Sequence, residues 1–212
     1  LIWLDVDTLI REKTAGRKSL DDFAKAFYGV QDGDYAPAPY TFEDVVSALN
    51  GVVAHDWATF LRTRLDGHGP GAPLDGLERS GWRLAYGETP TDYQRTLYGE
   101  LKRNDFTYSI GLQTGENNSI RSVQWDSPAF KAGLVGGMEI VAVNGKAATP
   151  ERISQAITAA KDTAVNISLI VKDGDQFKTV ELDYHQGLRY PRLERIEGVE
   201  DRLSAILAPR RR

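Results

Sequence analysis

Along the first 67 positions apolar residues recur at the three- and four-residue spacing of helices, and from Asp105 onward they alternate with period two. The opening stretch, Leu1 to Arg11, fits both periods. As a strand it puts Ile2, Leu4, Val6, Thr8 and Ile10 on one face. As a helix it gathers Ile2, Trp3, Val6, Leu9 and Ile10 within about 120° and leaves Asp5, Asp7 and Glu12 outside. The punctuation that follows favours the helix, ending near Gly16. Ser19 is placed to cap a helix from Leu20 with Asp22 at its third position, and Phe23, Ala26 and Phe27 give its stripe. Thr41 repeats the device for Phe42 to Leu49, with Asp44 at the third position and Val45, Val46 and Leu49 inward. Asp56 caps a further run with Trp57, Phe60, Leu61 and Leu65 on one side, and Gly67 is expected as a left-handed stop.

Between these helices "GVQDGDYAPAPY" reads as a loop by its Gly, Pro and Asp content. Within it "YGVQDGD" offers acidic oxygens for Ca²⁺ but lacks EF-hand spacing, and a turn is the simpler reading. "GHGPGAP", Gly67 to Pro73, is the clearest breaker; "GWRLAYG" after it reads as a short strand, and Thr91 to Lys102 as a connecting helix or irregular link. In the second half Ser127 at the cap, Pro128 at the first position and Gly133 past the end bracket a one- to two-turn helix. "MEIVAVNG" is a strand ending in an Asn144-Gly145 turn. Thr149-Pro150 opens a helix with Ile153, Ala156, Ile157 and Ala160 on one face. Val165, Ile167, Leu169 and Val171 alternate into a hairpin that turns at Asp173-Gly174.

Composition narrows the function classes. The 212 residues are 41% hydrophobic and 26% charged, with a net charge of −4, which argues against a nucleic-acid partner. The terminal Arg210, Arg211 and Arg212 read as a solvated tail. No apolar run reaches the ~18 residues that span a bilayer. With no cysteine there are no disulfides, no thiolate chemistry and no Cys-ligated zinc. The chain opens on Leu1 and not on Met, so it is read as a piece of a longer protein.

The order strand, Ser-Pro-Ala…Ala-Gly-Leu, Val-Asn-Gly, helix, hairpin resembles a PDZ domain of the kind attached to bacterial proteases. The resemblance implies a groove between a sheet edge and the long helix that takes a peptide as an added strand. The loop that would present backbone donors to a peptide carboxylate is Ser109-Ile110-Gly111-Leu112, followed by Gln113. It matches the family's Gly-Leu-Gly-Phe in identity at Gly111 alone, and Gly136-Gly137-Met138-Glu139 stands where Gly-Asp is usual. Ile153 and Ile157 either floor the groove or fill the core, with the core favoured. Ser127, Pro128, Ala132 and Gly133 are read as shaping the fold.

The flanks, "LDVDTLIREKTAGRKSLDDFAKAFYG", "YTFEDVVSALN", "DWATFLRTRLDG" and "YHQGLRYPRLERIEGVEDRLSAILAPR", resemble the C-terminal half of the glycyl aminopeptidase family of zinc metallopeptidases. Members join a thermolysin-like catalytic domain to a PDZ module and are commonly exported, which implies a periplasmic or cell-envelope location. The expected fold is therefore α+β. A helical segment, 1–67, is part of the catalytic domain; a connecting segment covers 68–104. A PDZ-type β-sandwich or barrel with two helices occupies 105–186, and a tail 187–212. Asp5 and Asp7 then belong to a helix surface, solvated or salt-bridged. The alternative, a strand carrying Asp5-Val6-Asp7 like that of haloacid dehalogenase-type phosphohydrolases, recedes.

The family's zinc site needs H-E-x-x-H, and His55, His68 and His185 have no ligand spacing. No G-x-S-x-G or phosphate-binding glycine motif is present. The expectation is a catalytically inert piece without cofactor, whose parent takes zinc from residues before Leu1 and releases N-terminal Gly or Ala. Its partners would be an extended peptide or protein C-terminus and its own upstream half. The competing reading is a stand-alone, non-enzymatic PDZ adaptor with its own helical domain.

Overall fold

The computed structural model describes residues 1–28, 33, 36–68 and 71–209. Most of the turn considered for Ca²⁺, positions 69 and 70 of the breaker cluster and the terminal arginines lie outside the described residues. The chain forms two compact units, residues 1–84 with 193–212, and residues 85–192. The architecture is α+β, as expected.

The first unit starts with α1 (Ile2–Thr14), which ends at a left-handed Ala15 (φ 51°). The helical alternative for the opening stretch is the one adopted. Reciprocal capping boxes at Ser19/Asp22 and Thr41/Asp44 start α2 (Leu20–Phe27) and α3 (Phe42–Val52). Each satisfies two backbone donors that would otherwise be unpaired. Asp56 caps α4 (Trp57–Leu65) through Thr59 N. Gly67 is not the left-handed stop expected of it. A Cβ there would lie 2.7 Å from the Thr63 carbonyl oxygen, so close backbone approach and not φ calls for glycine. The short α5 (Asp75–Arg79) was not expected.

Val6, Ile10, Phe23, Leu49, Trp57 and Leu61 form this unit's core, and the Trp57 indole N–H donates to the Val53 carbonyl at 2.9 Å. Asp5 and Asp7 are salt-bridged but not solvated; both are buried. Asp5 pairs with Arg64 and Arg79. Asp7 pairs with Arg11 at 2.8 Å and accepts from Leu20 N. The helix surface expected for them faces α2, α4 and α5 partners and not water.

The chain leaves this unit along β1 (Trp82–Gly87) and enters the second through α6 (Asp92–Glu100), capped by a Thr91/Gln94 box. β2 (Asn104–Phe106), β3 (Leu112–Thr114) and β4 (Ile120–Val123) form an antiparallel sheet in that spatial order. The left-handed pair Asn117 and Asn118 turns the chain between β3 and β4. α7 (Pro128–Lys131) is bracketed by Ser127 and Gly133 (φ 78°), as the spacing predicts. β5 (Glu139–Val143), β6 (Lys146–Ala147), β7 (Ile167–Asp173) and β8 (Gln176–Leu182) form a second sheet of order β6-β5-β7-β8, with α8 (Pro150–Ala159) between β6 and β7 in sequence. The sheets meet at the antiparallel bridge Ser119–Glu139 and do not close into a barrel. Ile140, Val143, Ile153, Ile157, Ile167, Leu169 and Leu182 fill the core. Burying each such side chain stabilises by roughly 1.5–3 kcal/mol.

The segment expected as a tail is structured. It holds β9 (Tyr190–Arg195), which pairs with β1, and α9 (Arg202–Leu207), capped by Asp201. Asp201 also accepts the Trp82 indole N–H at 2.9 Å, and Arg202 N donates to the Ser80 carbonyl. No helix among the described residues is long and apolar enough to cross a membrane.

Candidate functional site

The loop expected to hold a peptide carboxylate spends its donors on its own chain. Ser109 N and Gly111 N both donate to the Phe106 carbonyl, at 3.0 and 2.9 Å, which closes the β2–β3 turn. Gly111 has a φ of +84°, and a Cβ on it would overlap the Ser127 side chain. The strand after the loop is no edge. β3 pairs with β2 on one side and β4 on the other, Asp105 facing Gln113 and Phe106 facing Leu112. Gln113 Nε2 donates to Asp105 Oδ2 and Thr107 Oγ1. Ile110, Leu112, Ile153 and Ile157 do come together, as fully buried members of the core and not as a groove floor.

Asp162 N donates to the His185 carbonyl, the Tyr184 hydroxyl donates to the Gly187 carbonyl, and Leu188 packs on the core. Arg189 N then donates to the buried Ser109 Oγ at 3.0 Å. The segment 184–189 thus links the end of α8 to the Ser109 loop. An added strand finds no free ladder on β3.

The open strand edge is one position over. Because the Phe106 carbonyl points toward the β3 side, antiparallel alternation directs the Asp105 N–H and C=O to the opposite side, where β2 has no strand partner. Beside that edge is a cleft of about 830 Å³, bounded by β2, the end of α6, the β3–β4 turn and the first turn of α8. Tyr98 and Tyr190 line it, and both phenols are held protonated. Burial, then the Asp105 carboxylate, pushes Tyr98 up to about 12, and the same two causes raise Tyr190. Lys102 pairs with Glu116 across the rim at 3.0 Å. Arg103 faces the Tyr98 ring, and its Nε is a buried donor with no acceptor among the described residues. Thr149 caps α8 by accepting from Arg152 N, and Asn118 Nδ2 donates to the Ala148 carbonyl, which fixes the far wall. The cleft therefore offers a backbone edge, two phenol donors and a guanidinium to a ligand. Sequence reasoning missed it because a three-residue strand leaves no period to read.

The histidines are dispersed in role. His55 rests edge-on against Trp57 and Phe60, with its pKa lowered by burial and then by Lys13. His68 is exposed. His185 lies between the Ala160 carbonyl and Asp183. Among the described residues no three His, Asp or Glu side chains gather as candidate metal ligands.

In the first unit Leu1, Ile2, Trp3, Tyr40, Phe42 and Leu65 line an apolar groove of about 570 Å³. Trp3, Tyr40 and Leu65 are largely exposed in it.

No family model matches the chain, and no curated protein matches it. Among solved structures it is similar to an aminopeptidase N family protein from Idiomarina loihiensis, at 19% identity and a TM-score of 0.58. The match covers 98% of this chain and 35% of that one, so the chain spans about a third of that protein's length. A PDZ domain of HtrA3 bound to a phage-derived ligand overlaps 56% of this chain and 95% of its own, at 18% identity and a TM-score of 0.26, too loose a superposition to bear on the fold.

Proposed function

We propose that this chain is the C-terminal, non-catalytic part of a zinc aminopeptidase of the glycyl aminopeptidase type, and that its second unit holds an extended peptide in the cleft between β2 and α8. The cleft carries the peptide half of this reading. An unpaired strand edge beside a helix start, with Arg103 Nε lacking an acceptor, is chemically matched to a peptide's alternating N–H and C=O groups. The similarity of fold along nearly all of the chain to one third of an aminopeptidase N family protein supports the other half. So does the apolar groove of the first unit, since exposed aromatic surface of this kind marks a face that another element covers. Zinc and the release of N-terminal Gly or Ala belong to the parent enzyme, as does an envelope location.

Labelled ten-residue peptides screened against the 212-residue chain by fluorescence anisotropy test the cleft, with Ser154→Phe and Arg103→Gln as variants. Binding at micromolar to sub-millimolar strength that both variants weaken supports the site; binding that neither changes, or none at all, removes it. A longer protein that includes the upstream residues tests the enzyme assignment. Chelator-sensitive hydrolysis of glycyl and alanyl amides by it, and none by this chain, is the expected pair of results. The adaptor reading keeps one observation in its favour, namely that each unit closes a hydrophobic core of its own. An upstream sequence without H-E-x-x-H would favour it.

A further inference from the structure

We infer a second ligand site on the 85–192 unit, separate from the cleft. The aromatic hollow between Tyr86, Tyr108 and Trp125, with Arg189 at its side, takes an extended peptide segment in which a proline adjoins a Glu or Asp side chain. The hollow has a volume of about 270 Å³. Trp125 is 79% exposed, and Tyr86, Tyr108 and Phe130 beside it are each more than a third exposed. Single exposed aromatics are ordinary on protein surfaces, but four on one small patch are not. These rings are also held in place. Trp125 rests on Phe130 with centroids 4.4 Å apart, and Tyr86 on Tyr108 at 5.7 Å. Pre-ordered rings give contact area at little entropic cost.

The backbone around the hollow decides the binding mode. Ser109 N and Gly111 N are taken by the Phe106 carbonyl, Gln124 N by that of Gly111, and Ser127 N by that of Gln124. These four donors are spent within the chain. Ring faces and side-chain donors remain, and a polyproline-type segment uses these, since it needs few backbone partners and presents flat pyrrolidine faces.

Charge selects the neighbour of that proline. The Arg189 guanidinium lies 4.2 Å over the Tyr86 ring and gives one N–H to Gln186 Oε1. Among the described residues no carboxylate lies within ion-pair distance of it. The acid that also faces the hollow, Asp126, is paired with Lys131 at 3.1 Å. The uncompensated charge on the rim is therefore the flat, bidentate donor Arg189, which matches a carboxylate.

The test uses the 212-residue chain and an amidated, fluorescein-labelled peptide containing Pro-Pro-Glu-Pro, read by anisotropy. Saturable binding is expected. Replacing the prolines by alanine or the glutamate by glutamine should weaken it about tenfold or more, as should Arg189→Gln and Trp125→Ala in the protein. Thermal melts confirm that both variants stay folded, and Ser154→Phe in the cleft should leave this binding unchanged, so the two sites fail independently. No saturation at millimolar protein, equal affinity for the glutamine peptide, or indifference to both protein variants would overturn the site.

Discussion

Gly111→Ala isolates what the β2–β3 turn demands of its backbone. The native φ of +84° is a conformation that costs a residue with a Cβ about 1–2 kcal/mol. The new Cβ also overlaps the Ser127 Cβ and Oγ, and a forced contact of that kind in packed surroundings costs about 1–3 kcal/mol. Together the loss is about 2–5 kcal/mol, a large share of a domain's net stability. The two parts are separable. Ser127→Gly removes the atoms that are struck, at a capping cost of only a few tenths of a kcal/mol for α7. The double variant should therefore regain about 1–3 kcal/mol relative to additivity, while the φ penalty stays. Because the chain has two units, a single melting curve mixes them. Hydrogen exchange at the buried amides of Ile140 and Leu169 reads the second unit by itself. If Gly111→Ala costs under about 0.5 kcal/mol, or if the two changes simply add, the close-contact argument is wrong. Gly111→Glu would suffer the same two penalties, so a loss of ligand binding by that variant would report unfolding and not a blocked cradle.

Two further outcomes concern the first unit. Asp5→Ala leaves Arg64 and Arg79 without their shared buried carboxylate, and should cost about 3–5 kcal/mol read by hydrogen exchange at the buried amides of Ile10 and Leu49; a loss below about 1 kcal/mol would show that the three charges contribute little together. Asp201 is held down to about 2, first by the Trp82 indole N–H and then by Ser204 N. A carboxyl depressed in the folded state adds stability above its unfolded value of 3.8, and that contribution fades as pH falls through about 2. The Trp82 indole proton resonance should follow this titration, and a midpoint near 3.8 would contradict the bond.

Features that depend on neighbours in the chain were readable from it. Ser19 with Asp22, Thr41 with Asp44, and Ser127-Pro128 with Gly133 each set a helix boundary by contacts within a few residues. Asp5 was misplaced because its apolar arc predicts an outer face, whereas its partner Arg64 comes from 59 residues away. β9 was invisible for the same reason. Tyr-Pro-Arg-Leu-Glu-Arg has no alternation, and it is a strand because β1 supplies a ladder for it. The site residues show a subtler limit. Gly111 in a turn before a strand is compatible with an open carboxylate loop or with a closed hairpin. The choice rests on three residues, Asn104 to Phe106, too few to register as a strand by pattern.

The pairing of β1 with β9 also fixes an order of events on the ribosome. The 85–192 unit is whole in sequence before the first unit is, since residues 193–209 emerge last of the described chain. Until they do, the Trp82 indole lacks Asp201, and the carbonyls of Arg79, Ser80 and Gly81 lack the donors that Arg202, Leu203, Arg195 and Ile196 bring. A nascent chain that has emerged only as far as Leu193 would hold the later unit whole and the earlier one without its closing segment.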